Sequence, residues 1–450
     1  MPISWMKLGV VALLGSLALS SEADGRPPDD APRLPVEEYV LANGLHVVLQ
    51  ADSRVPQVAV SLFVRAGSAH DPPRRSGFAH LFEHLVFQGS RHISKDVQDR
   101  LFVKIGSSDG AITRFDRTEF EMKGPSQHLE TMLWLESDRL GFLAIGEKNL
   151  ANQRDVVSEE LRQEQESDPF WPADARLWGL IFPATHPYHR HVRGSHADLA
   201  LATLEDVSRF YREHYVPANT SLVVVGAFEA GAARRLIEKY FGTLDKAPRP
   251  RTPSAAPGLK GGLVAREQMT GAVPRKRVSV AWLLPPAGDG RAAAAQLLVS
   301  ILGSGAGSLL AREVIHGRKL AQDMRCTRRQ MELASYLKCD FFLAAPDRAP
   351  EPVIEAVRAA VAGLADRGVD DRVLRAAKMG WKVDLLRDVE SLRDRAILLN
   401  QYVVHHGAAD RIAEEWRRVD AVDGAAIQRM AREYLVEGRQ AVVTVAPAGP

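Results

Sequence analysis

Between Gly77 and Phe87 an apolar run is interrupted by His80, Glu83 and His84. On a helix, positions i and i+4 lie one above the other on a single face, so both imidazoles reach one metal ion. Glu83, one residue before His84, stands where a carboxylate acts on a metal-bound water rather than on the metal. Two imidazoles and a carboxylate on a short apolar helix are costly to bury without partners. A metal ion with its water partners all three. The order is H-x-x-E-H, the reverse of the more frequent H-E-x-x-H.

A catalytic zinc keeps three protein ligands and one open position. The third ligand is sought in the segment from Asn152 to Glu164, which reads as a helix with two adjacent glutamates. Helical phase separates them. Glu160 shares a stripe with Gln153, Val156, Val157, Leu161 and Glu164, and Glu159 shares the polar face of Asn152, Asp155, Arg162 and Gln163. The apolar stripe points inward, so Glu160 is the expected ligand and Glu159 a solvated charge.

These residues, with Phe115-Asp116-Arg117-Thr118-Glu119-Phe120, Leu133 to Arg139 and His186-Pro187-Tyr188 in order after them, resemble the pitrilysin/insulinase metallopeptidases. The resemblance runs from about residue 35 to about 445. Length and spacing are similar to the short-chain branch that includes mitochondrial processing peptidase and bacterial two-subunit zinc proteases. It implies an α+β fold of two homologous α/β-sandwich halves joined by a linker.

The expected divisions are a signal peptide over 1–23, a disordered stretch over 24–34, a zinc-binding peptidase domain over 35–245, a linker over 246–262 and a homologous domain without metal over 263–450. Lys7, the apolar run Leu8–Leu19 and the small residues Ser21 and Ala23 carry the signal-peptide reading, and hence a periplasmic or secreted location. The linker is marked by Pro248, Pro250, Pro253 and Pro257 with three glycines behind them. Beyond it the pattern restarts. Arg277–Leu284 reads as a strand like Val58–Val64, and Arg429-Met430-Ala431-Arg432-Glu433-Tyr434 parallels Arg209 to Tyr215. Asn43-Gly44 signals a hairpin turn.

The balance of 58 basic and 56 acidic residues leaves a formal charge of +2. No excess of either sign argues for nucleic acid or a membrane surface. Export makes a disulfide between Cys326 and Cys339, on facing strands of an expected hairpin, an open alternative to two small buried side chains.

For function, the resemblance implies a zinc-dependent endopeptidase, with one Zn2+ held by His80, His84 and Glu160 and with Glu83 as general base. It would hydrolyse unfolded peptides inside a closed chamber. The substrate is expected to add as a strand beside the metal, at an edge near Thr118–Lys123. Asp109 stands near a family asparagine that holds substrate, or is a turn residue. Gln153 occupies the place of a supporting glutamate and can orient the site by hydrogen bonding. In the second half, Ile315 and Gln322 stand where active relatives offer an arginine and a tyrosine, so a homologous partner subunit is expected to supply both. The competing class is a non-catalytic core subunit of a larger complex. Retention of all four motif residues weighs against it, as it does against a protein that encloses peptides without cleaving them.

Overall fold

In the computed structural model, residues 31–254, 264–343, 347–435 and 437–448 are described. The expected signal peptide lies outside them, as do residues 24–30 of the expected disordered stretch and residues 255–262 of the proline- and glycine-rich linker. The first half opens with β1 (Glu37–Val40), β2 (His46–Ala51) and β3 (Gln57–Val64), then α1 (Phe78–Leu85) and α2 (Lys95–Ile105). A hairpin of β4 (Ser108–Thr113) and β5 (Thr118–Pro125) follows. Next come α3 (Leu129–Gly141), α4 (Glu147–Ser167), α5 (Trp171–Ile181), α6 (His196–Ala200), α7 (Leu204–His214), β6 (Thr220–Gly226) and α8 (Ala230–Phe241). The second half carries β7 (Val264–Gly271), β8 (Arg277–Leu284), α9 (Ala292–Gly303), β9 (Ala321–Arg329), β10 (Ser335–Leu343), α10 (Glu351–Arg367), α11 (Asp371–Glu390), α12 (Leu392–His406), α13 (Ile412–Asp420), α14 (Gly424–Tyr434) and β11 (Gln440–Pro447).

The two sheets repeat one topology. The first runs β1-β2-β6-β3-β5-β4 and the second β7-β11-β8-β10-β9. Without β1, each has the order first, last, second, fourth, third. In each, the last strand pairs in parallel with the first, β6 with β2 and β11 with β7. The central strands β3 and β6 are near-continuous apolar runs because both their faces are covered. The motif helix α1 and its counterpart α9 each follow the second strand of their half. The sequence of α9, Ala-Ala-Ala-Ala-Gln-Leu-Leu-Val-Ser-Ile-Leu-Gly, holds no histidine or acid, so the copy carries no metal motif.

One face of each sheet is covered by helices of its own half and the other by a helix lent from the opposite half. Phe78, Phe82, Leu133, Val157, Phe210 and Ile237 pack under the first sheet. Its other face, Val48, Ala59, Val223 and Val225, is closed by Leu392, Ala396, Leu399 and Val403 of α12. Reciprocally, Ala173, Leu177 and Ile181 of α5 pack on Ala281, Ala441 and Val443 of the second sheet. Residues from Pro32 onward therefore form one compact unit. Polar contacts fix the α12 seam. The fully buried Asn400 amide donates to the Ser61 carbonyl and hydroxyl at 3.0 and 3.1 Å, and its oxygen accepts from the Ser221 hydroxyl.

Two local expectations are corrected and one open alternative is settled. Thr118–Lys123 is not a sheet edge, because β5 pairs with β3 on one side and β4 on the other. The open edge is β4. Asp109, offered as a turn residue, lies in this strand, where Ser108–Gly110 pair in register with Lys123, Met122 and Glu121. Val156 does not share the buried stripe of α4. It is 37% exposed, while Gln153, Val157 and Leu161 are buried. Cys326 and Cys339 are direct partners across β9 and β10 and form a disulfide.

Replacing Asn400 with Ala strands the Ser221 hydroxyl and the Ser61 carbonyl in a dry seam. The variant is expected to lose about 1–3 kcal/mol, read as a lower urea midpoint at unchanged slope. An unchanged midpoint would show that the polar seam contributes nothing.

Candidate functional site

The site is built on α1, whose start is held from outside the helix. Gly77 precedes it with φ +84° and no side-chain cap. Instead the buried Asp71 carboxylate accepts the amides of Gly77 and Ala79, both at 2.8 Å. Two of the free amides at the helix N-terminus are thereby met. Burial raises the Asp71 carboxyl to about 7, against the opposing pull of those amides. Along α1, Phe78, Leu81, Phe82 and Leu85 enter the core, which turns His80, Glu83 and His84 together toward α4 and the end of β4.

There His80 and His84 meet Glu160. The two rings lie 4.8 Å apart. The Glu160 Oε2 stands 3.5 Å from His84 Nε2 and 3.8 Å from His80 Nε2. One ligand atom from each of the three residues falls within 4.8 Å of the others. Donors on a tetrahedral ion, at bonds of about 2 Å, stand about 3.4 Å apart. The observed spacings suit a shared ion better than direct hydrogen bonds. Two imidazoles and one carboxylate are also a donor set that suits zinc. Burial, then His84, Arg193 and His191, holds His80 down to about 3, so its ring is neutral and free to ligate.

Glu83 is buried and receives a 2.6 Å hydrogen bond from the Thr113 hydroxyl at the end of β4. Burial pushes its carboxyl up to about 7, opposed first by the Thr113 hydrogen bonds. Thr113 itself is a residue that sequence reading missed. It is recognisable only once β4 is known to end beside α1.

A cavity of about 890 Å³ opens over these groups, lined by His80, Glu83, His84, Gln153, Glu160 and the β4 residues Ala111–Thr113. Trp171 and Trp178 of α5 and Tyr336 and Lys338 of β10 form its far wall. Glu159 is exposed and pairs with Arg162 at 2.6 Å, away from the triplet. Gln153 is buried in the wall, two turns before Glu160. Asp109 is not brought there. It sits on β4 outside the lining, with its carboxylate 3.7 Å from the buried Arg139. Ile315 and Gln322 are also absent from the lining. Ile315 packs against the second core from a π-helical turn over Ala311–Gly317, and Gln322 is the second residue of β9, on an exposed position.

The fold and these residues define a metallopeptidase-like site on a repeated α/β scaffold. Comparison with known proteins agrees. The profile described as "Insulinase (Peptidase family M16)" matches residues 46–174, and "Peptidase M16 inactive domain" matches residues 202–380. The chain belongs to this pitrilysin/insulinase family. It is 26% identical over 419 residues to the zinc protease PqqE of Helicobacter pylori, covering 91% of this chain and 93% of that protein. It is 23% identical to a probable mitochondrial-processing peptidase subunit beta of Arabidopsis thaliana, covering 90% and 77%. A protease from Helicobacter pylori has the same fold, with a TM-score of 0.85 at 23% identity over 92% of this chain and all of that one. So does the first half of the periplasmic protease PqqL from Escherichia coli, with a TM-score of 0.75 at 17% identity over 92% and 93%.

Asp71→Ala should unseat the start of α1. The expected loss is about 1 kcal/mol of stability, the usual worth of a capping side chain, with weaker metal uptake because His80 lies one turn away. Thermal unfolding with and without added zinc measures both. A variant with the parent's midpoint and the parent's zinc titration would contradict the role given to Asp71.

Proposed function

We propose that this chain is a zinc-dependent endopeptidase acting on unfolded peptides. One observation carries the reading. Three neutral or anionic ligand atoms converge beside a buried, hydrogen-bonded carboxylate, inside a cavity large enough for a peptide. His80, His84 and Glu160 would hold one Zn2+, and Gln153 would steady them from the wall. When bound, zinc supplies Lewis-acid polarisation of the peptide carbonyl and acidifies water.

The chain's own residues do the rest. Glu83 accepts a proton from the attacking water as its oxygen bonds to the carbonyl carbon. It then delivers that proton to the nitrogen as the C–N bond breaks. Thr113 keeps the carboxylate aimed during both transfers. The open edge of β4, ending at Thr113, offers backbone amides and carbonyls to an extended substrate. Strand addition reads little side-chain identity, so selection rests on whether the peptide is extended enough to enter. Asp109, turned to Arg139, would support that edge rather than touch substrate.

Two further parts of the reading concern context. The N-terminal charge and apolar run support export, and a location in the periplasm or outside the cell. No helix among the described residues is long and apolar enough to cross a membrane. Ile315 and Gln322 leave the second half without the expected arginine and tyrosine, which supports a homologous partner subunit that supplies them and closes the chamber. The "inactive domain" description falls on residues 202–380, outside the four motif residues. A wholly non-catalytic subunit therefore remains the weaker reading.

Assayed with the partner subunit present, Glu83→Gln should keep zinc and lose about 10²-fold or more in turnover of an unstructured peptide. Cleavage at the parent's rate, at equal metal content, would remove Glu83 from the mechanism. Chelation of the parent should abolish cleavage, and added zinc should restore it. Elemental analysis of two variants tests the ligand set. Glu160→Ala should lose metal and Glu159→Ala should retain it, and the opposite result would reverse the assignment.

A further inference from the structure

The cavity wall beside the metal triplet holds a cation that the motif does not account for. Arg193 lines the same cavity as His80, Glu83, His84 and Glu160. Its guanidinium pairs with Glu164 at 2.7 Å, and Glu164 stands one helical turn beyond Glu160 on α4. That pair sets Arg193 next to the proposed third ligand. Its Nε is buried and has no hydrogen-bond partner among the described residues. An unmet buried donor calls for an explanation.

The backbone around Arg193 is clamped to the start of α1. Gly77 and Gly194 both adopt positive φ, +84° and +72°, and stand back to back. A Cβ on Gly194 would come within 2.0 Å of the Ser76 carbonyl oxygen, and one on Gly77 within 2.4 Å of the Arg193 carbonyl oxygen. Only glycine fits either position. Around them the Ser76 amide donates to Asp198 at 3.0 Å, and Arg190 donates to the Pro72 carbonyl at 2.8 Å. The backbone at Arg193 is thus held against the start of α1. The same segment presents His191. Its Nδ1 accepts the Arg193 amide at 3.3 Å, so the proton of the neutral ring resides on Nε2, and the ring lines the cavity.

We infer that Arg193, steadied by Glu164, turns a guanidinium N–H to the oxygen of the peptide carbonyl under attack, with His191 Nε2–H as a second donor on the same wall. This rests on the peptidase reading above. As the water oxygen bonds to the carbonyl carbon, negative charge gathers on the carbonyl oxygen. The charge returns to the carbon–oxygen bond when the C–N bond breaks and the amine takes the proton from Glu83. Donors fixed in advance where that charge develops are worth about 10²–10³-fold in rate each. The arginine and tyrosine expected from a partner would hold the peptide from the opposite side. Arg193 acts from within the metal-bearing chain.

The test compares the parent with Arg193→Gln and Arg193→Lys, each assayed for zinc by elemental analysis. With the partner subunit present, turnover of an unstructured fluorogenic peptide is measured alongside calorimetric binding of a phosphinic peptide, whose anionic tetrahedral group mimics the attacked carbonyl. Arg193→Gln should retain zinc and fold, lose about 10²-fold in kcat with little change in KM, and bind the phosphinic peptide weaker by a similar factor. Arg193→Lys, which keeps the charge but not the fork, should fall between. If Arg193→Gln loses zinc or fold, Arg193→Lys at full zinc decides by the same two readouts. Parent-like kcat and parent-like phosphinic binding at equal zinc would overturn the inference and leave the peptidase reading standing. A parent that takes up no zinc and cleaves nothing would overturn that reading itself.

Discussion

Three ligand atoms from two helices must meet within a few ångströms, and they can do so only if α1 neither slides nor rotates against α4. The sequence supplies two of the three on one short helix of eight residues. Such a helix is too short to hold itself in water. It is held by its apolar face in the first core, by Asp71 at its N-terminus, and by the back-to-back glycines Gly77 and Gly194. A half-buried site with this much support is pre-organised before any ligand arrives, which is what both metal binding and charge stabilisation require.

The exchange of α5 and α12 between the halves gives the second half a purpose although it carries no metal motif. Its sheet backs α5, whose Trp171 and Trp178 form the cavity wall facing the triplet. Asp174 of α5 is tied to Arg277 at 2.6 Å and to Lys338 at 3.0 Å. These pairs are partly buried and give geometry more than stability. Loss of the second half would therefore open the site from behind as well as expose both sheets.

Much of this was legible in the chain itself. The i, i+4 spacing of His80 and His84 and the apolar phase of α4 identified the residues that converge, because helical periodicity is local and strong. Glu160 was separated from Glu159 by that phase alone, even though Val156, counted on the same stripe, turned out to be exposed. The repeated halves were readable from the Arg209–Tyr215 and Arg429–Tyr434 echo. What was not readable depended on pairings between distant segments. The sheet edge was put at Thr118–Lys123, one strand too far in, because which strand lies outermost is set by long-range pairing. Thr113, Asp71 and Arg193 gave no signal, since each acts only through contacts made by the folded chain. Arg193 and Arg329 both line the cavity, and neither stands in a segment that the sequence pattern singled out.

X-ray absorption at the zinc edge of the purified, zinc-loaded protein tests the central claim, that His80, His84 and Glu160 share one ion. The account predicts one zinc per chain in a shell of two imidazole nitrogens and oxygen ligands, all at about 2.0–2.1 Å, with no sulfur. The imidazole scattering should vanish in the His80→Ala, His84→Ala double variant. A protein that retains no zinc, or one whose zinc shell lacks imidazole, would contradict it.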